Sequence, residues 1–95
     1  MPTVYVELVG TLRHHIGKRS LNVSLPEHAM IVSLVKDLEE NHGAPGGLLA
    51  DCDREVARLK VLVLVNGIEI SVLNGVKTSL KDGDSVTFVP VSHGG

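Results

Sequence analysis

Asp82-Gly83-Asp84-Ser85-Val86-Thr87-Phe88-Val89-Pro90-Val91-Ser92-His93-Gly94-Gly95 closes the sequence, a tight turn feeding a strand that runs almost to a pair of glycines. Val86 and Phe88 share one face of that strand and Thr87, Val89 and Val91 the other, the period-2 pattern of a strand with two different environments. Two final glycines arise by chance roughly once in two hundred chains at a glycine frequency of about 7%, so the pair alone decides nothing. Its approach does: a carboxylate without side chains around it, projecting from a rigid strand, is a group held out to a partner. The expected division is a domain over 1–91 and a flexible tail over 92–95.

Upstream of this strand, Val61-Leu62-Val63-Leu64-Val65 is wholly apolar and reads as a buried strand, followed by the hairpin turn Asn66-Gly67 and a short return strand Ile68-Glu69-Ile70. At the other end of the chain Val4, Val6 and Leu8 alternate with Tyr5, Glu7 and Val9, and Leu21-Asn22-Val23-Ser24-Leu25 repeats the pattern. These two strands are expected to pair antiparallel across a connection, Gly10 to Ser20, whose turn is Gly17-Lys18-Arg19-Ser20. Pro26 ends the second strand because it has no N–H to donate.

From Ile31 the period becomes helical: Ile31, Leu34, Val35 and Leu38 fall on one stripe, and Asn41-His42-Gly43 supplies the stop signal. Ala44 to Arg58 reads as a long surface connection in which Leu48 to Glu55 has room for a short helical turn. The sum is an α+β layer of four to five strands with one main helix on one face. One helix covers one face only, so Tyr5, Val9, Val89 and Val91 are expected on an open face that serves for docking.

The 95 residues make one domain with one modest core. Nine basic and eleven acidic residues give a formal charge of -2, and no block of either sign tracks a phosphate backbone. Nucleic acid and membrane are therefore not expected partners; the longest apolar run, five residues, is far short of the ~20 that span a bilayer. The start at Met1 enters a strand pattern without a secretory leader, and the lone Cys52 forms no internal disulfide, so a cytoplasmic location and a free monomer are expected.

Candidate sites for chemistry elsewhere are weak. His14-His15 lacks the further ligands of a metal site, and Asp82-Gly83-Asp84 lacks the spacing of a calcium loop. Cys52, between Asp51 and Asp53, has neighbours that raise its thiol pKa and is expected to be an ordinary surface thiol. No metal, bound cofactor or catalytic residue is expected.

The element order, with Leu64-Val65-Asn66-Gly67, Leu80-Lys81-Asp82-Gly83-Asp84-Ser85-Val86 and Phe88-Val89-Pro90-Val91 ahead of Gly94-Gly95, resembles the ubiquitin-like sulfur carriers of the MoaD and ThiS superfamily over essentially the whole chain. Ser92-His93-Gly94-Gly95 also resembles the ending of the ubiquitin-related modifiers. The resemblance implies a β-grasp fold with the first and last strands side by side in a mixed sheet. It implies that a ubiquitin-activating-type enzyme, using ATP and Mg, adenylates the Gly95 carboxylate, with Gly94 and His93 as tether. A sulfurtransferase or persulfide donor then converts it to a thiocarboxylate, and an acceptor such as the large subunit of molybdopterin synthase takes the sulfur. The Phe88-Val89-Pro90-Val91 wording leans to molybdopterin among routes that include thiamine, cysteine and thiolated tRNA. The alternative is a modifier joined through Gly95 to lysines of other proteins. Two departures from the family pattern are Val89, where an aromatic is frequent, and the long 44–58 connection.

Overall fold

The alternation that starts at Thr3 becomes β1 (Thr3–Leu8) in the computed structural model, which describes residues 1–53 and 61–91. Val4, Val6 and Leu8 are buried while Tyr5 and Glu7 are exposed, as a strand with one covered face requires. β2 (Ser20–Ser24), β3 (Val61–Val65), β4 (Ile68–Glu69) and β5 (Ser85–Pro90) complete a five-stranded sheet in the order β2-β1-β5-β3-β4. β1 and β5 run parallel, with Tyr5 opposite Ser85 and Leu8 opposite Phe88; every other pairing is antiparallel. The chain therefore has the mixed sheet of a β-grasp, its first and last strands adjacent at the centre.

The main helix, here α2 (Ile31–Asn41), lies where its apolar stripe predicts, with Ile31, Leu34, Val35 and Leu38 buried. Ser33 accepts a hydrogen bond from the Met30 N–H (3.1 Å) at its start, and Gly43, at φ +82°, takes the left-handed conformation just beyond its end. Phe88 and Val86 meet this stripe from β5, and all the buried residues form one core cluster.

Two connections are more ordered than their sequences suggest. The Gly10 to Ser20 segment holds a helix, α1 (Thr11–Ile16), bounded by glycines at φ +64° and +80°. Leu12 is buried and Ile16 packs against the core, so an i, i+4 pair carries the helix, too short a pattern to stand out. Within 44–58, α3 (Leu48–Cys52) is no surface excursion: Ala44, Leu48 and Cys52 are core residues. The Glu39 carboxylate accepts a hydrogen bond from the Leu49 N–H (3.1 Å), tying α3 to α2. Residues 54–58 of that connection lie outside the described residues. The return strand is one residue shorter than expected, because Ile70 begins a 3-10 turn (Ile70–Val72) and is buried there.

Candidate functional site

β5 is held by β3 up to its last residue and by β1 up to Phe88. Pro90 pairs with Val61 of β3, and on the other side the Val9 N–H donates to the Phe88 carbonyl (3.3 Å). Because β1 and β5 are parallel, the chain leaving β1 turns beside the end of β5: a Cβ added at Gly10 would stand 3.9 Å from Cγ of Pro90. The root of the tail is thus fixed by three neighbours, and Val91 is the last described residue beyond it. His93, Gly94 and Gly95, the expected tether and reacting group, lie outside the described residues.

The start of β5 is clamped by a polar clasp at the opposite end of the strand. The Asp84 carboxylate accepts from the Lys81 N–H (2.8 Å) and from Nδ2 of Asn66 (3.0 Å), while Oδ1 of Asn66 accepts from the Ser85 N–H (2.9 Å). Asp82 accepts from the Thr3 N–H (2.8 Å), so the Asp82-Gly83-Asp84 turn also ties β5 to β1. The two carboxylates are spent on backbone and amide donors and serve the turn. Asn66 and Gly67 both have positive φ, 51° and 83°, the pairing that a two-residue hairpin needs to follow the strand twist.

The sheet face away from the helices bears Tyr5, 41% exposed, and Val9, 38% exposed, with Val89 and Val91 half-buried. All four expected docking residues are therefore accessible. The strand registers add two that the sequence reading missed: Leu62 lies opposite Val89 and Leu64 opposite Thr87, both half-buried on this face. A run such as Val61 to Val65 shows no alternation because both of its faces are apolar. The available signal was the single main helix: if one face of the sheet is uncovered, alternate residues of every strand, β3 included, must stand on it. The resulting face carries Tyr5, Leu62, Leu64 and Val89 across β1, β3 and β5, interrupted by Thr3, Glu7, Ser85 and Thr87.

Cys52 corrects the expectation of a surface thiol. It is 2% exposed, on the face of α3 that enters the core, and its pKa is pushed from 9.0 up to about 12 by burial, then by the Asp51 and Glu39 carboxylates. The direction follows the acidic neighbours seen in the sequence, but the larger cause is packing. His14 and His15 sit on α1, not on an extended segment, and are exposed. Among the described residues, no three His, Cys, Asp or Glu side chains converge as a metal site, and no helix is long and apolar enough to cross a membrane.

The ThiS family model matches residues 6–95. Small archaeal modifier protein 3 of Haloferax volcanii is 34% identical over 85 residues, 90% of each chain. The solution structure of small archaeal modifier protein 1 from Methanosarcina acetivorans, 27% identical, superposes with a TM-score of 0.78 and covers 100% of this chain and 98% of that one. A chain of the Amycolatopsis orientalis BexX/CysO complex, 28% identical, gives a TM-score of 0.71 with 97% and 99% covered.

Proposed function

The chain belongs to the ThiS family of ubiquitin-like sulfur carriers and modifiers, and from that premise we propose that its Gly95 carboxylate is the group it carries into reaction. The observation that carries this reading is the family match over 6–95, which takes in Gly94 and Gly95, the residues that follow in sequence from a strand built into the sheet centre. A carboxylate is a poor acyl donor, since a nucleophile would have to expel oxide. An adenylating partner removes that obstacle: the Gly95 oxygen attacks the α-phosphorus of ATP, pyrophosphate leaves, and a sulfur nucleophile then displaces AMP. In this chemistry the chain is the substrate.

The geometry supplies what such a substrate needs. Val91 to Gly95 reaches at most about 18 Å at about 3.3 to 3.6 Å per residue, so the partner's docking surface and its ATP site must lie close together. The open face of Tyr5, Leu62, Leu64, Val89 and Val91 is the surface proposed for docking, with Val9 at its margin. The BexX/CysO complex supports partner docking by this fold. Glycine at the reacting end fits a narrow channel because it has no Cβ.

ATP–pyrophosphate exchange with an adenylating enzyme of the same organism tests the reading. Removal of Gly95, Gly95→Ala or one residue added after it is expected to abolish exchange while circular dichroism stays unchanged. Normal exchange by these variants would refute it. Intact mass after addition of a sulfur donor reads both whether Gly95 ends the mature chain and whether one oxygen is replaced by sulfur. For the acceptor, the Phe88-Val89-Pro90-Val91 wording supports molybdopterin synthase, tested by molybdopterin formation with thiocarboxylated chain, precursor and the large subunit.

A second reading, conjugation through Gly95 to lysines, is favoured by the 34% identity to a small archaeal modifier protein. Both uses share the adenylation step. Gly-Gly remnants on lysines of cellular proteins would support conjugation, and their absence alongside a thiocarboxylate would leave the carrier role alone.

A further inference from the structure

Resting on the Gly95 reading, we propose that Arg13, Lys18 and Arg19 form a second docking surface, at the root of the tail, for an acidic patch on the activating enzyme. Between Glu7 and Glu27 the chain has no acidic residue, yet it places Arg13, His14, His15, Lys18 and Arg19 there, against a formal charge of -2 overall. The helix α1 gathers these residues at one end of the sheet. Arg13, Lys18 and Arg19, together with Gly10, His14 and Gly17, line one shallow hollow, and all three cationic side chains are exposed. None of the three is in an ion pair with another described residue. Nε of Arg13 donates to the Leu8 carbonyl (3.4 Å), which holds its guanidinium beside the end of β1.

Position turns this charge into a recognition element. Gly10, which lines the hollow, also packs against Pro90, so the cations flank the strand end from which residues 91–95 continue. An enzyme that binds the tail must come within its reach of at most about 18 Å, a distance inside the screening length only at low salt, since that length falls from ~30 Å at ~0.01 M to ~10 Å at ~0.1 M. Acidic residues border the cluster, Glu7 opposite Ser20 on β1 and Glu40 near the end of α2, where Gly43 lies against the His15 carbonyl, but the cations are the charges that line the hollow beside the strand end. The hollow therefore offers a cationic contact to an acidic mouth, a steering effect that acts on encounter more than on the bound state.

An acidic protein surface fits better than a nucleic acid. Three permanent cations neutralise few phosphates, the net charge repels a long polyanion, and neither aromatic is available for base stacking there: Tyr5 lies on the outer sheet face and Phe88 in the core.

The test uses the full chain and an adenylating enzyme of the same organism that turns it over in ATP–pyrophosphate exchange. Lys18→Glu/Arg19→Glu, which touches no core residue, is compared with Lys77→Glu/Lys81→Glu, an equal charge change made before the start of β5, with folding checked by circular dichroism. The proposal expects KM for the first variant to rise about tenfold at ~20 mM salt, the gap to close to under about twofold at ~0.5 M, and kcat to hold. The second variant should shift KM less than about twofold under the same screening. Equal effects of the two variants, or a salt-independent loss, would overturn it. So would an unchanged KM joined to lost binding of bulk tRNA, which would assign the patch to nucleic acid. Failure of every adenylating enzyme of the organism to turn over the wild-type chain would instead remove the Gly95 reading, and this proposal with it.

Discussion

Cys52 is the one thiol of the chain, and the fold holds it protonated, which predicts a stability profile that one substitution can isolate. The thiol pKa is about 12 in the folded chain against 9.0 ordinarily, so between those values the folded state keeps a proton that the unfolded chain has lost. Stability is therefore fully present below about pH 9 and falls as pH rises toward about 12, at ~1.4 kcal/mol per unit. From about pH 8 to about pH 10.5 the loss is ~2 kcal/mol. The reading is the difference between wild type and Cys52→Ala in urea melts at both pH values, in which everything the two chains share cancels. The cavity left by alanine costs the same at each pH and cancels. The same shift leaves about a thousandfold less thiolate than an ordinary cysteine has near neutrality, so disulfide-exchange reagents should label the folded chain at least that much more slowly than the unfolded one. A difference that does not change with pH, or fast labelling without denaturant, would refute the burial argument. For a chain proposed to carry activated sulfur the point matters, because an accessible internal thiol would compete for it.

Three other expectations address the strand and its faces. Asp84→Ala removes two hydrogen bonds of the clasp and should cost ~2 kcal/mol, lowering Tm by about 10 °C, read by thermal circular dichroism; a shift under about 2 °C would mean water replaces those bonds freely. Phe88→Ala empties the largest fully buried side chain and should cost about 3–5 kcal/mol in urea unfolding, whereas Phe88→Leu should cost much less. Leu62→Glu and Val89→Glu stand on the open face and should leave the fold intact while raising KM for adenylation about tenfold or more; unchanged KM would move the docking surface elsewhere.

How far the sequence could be read depended on whether a residue's partner was nearby in the chain. The Asn66-Gly67 turn, the α2 stripe and its glycine stop are local patterns, and the structure places them as read. The β1 and β5 faces were legible for the same reason: their alternation is intact. The adjacency of those two strands is not local, and it was reached through family resemblance. Where the pattern was short or saturated, it failed. Six residues of α1 carry only Leu12 and Ile16 as apolar markers, the short turn at α3 was legible but its burial was not, and β3 hides its open face behind uniform hydrophobicity. Cys52 was misplaced because its neighbours in sequence are acidic, whereas its burial is decided by the fold of α3 against the core.

The parallel pairing of β1 with β5 also sets a schedule for synthesis. Tyr5 to Leu8 find their partners at Ser85 to Phe88, and Val61 to Val65 find theirs on the other side of the same strand. A nascent chain that has released residues 1–80 therefore holds β1 and β3 with a missing strand between them, each edge offering unpaired N–H and C=O groups. Closure waits for contacts some eighty residues apart in the chain, a topology in which loop entropy is spent before the pairing rewards it. The sheet is thus completed only as the stretch leading into Gly94-Gly95 emerges, so a chain cut short before it presents neither a finished domain nor a tail. Folding and the proposed readiness for activation arrive in the same few residues.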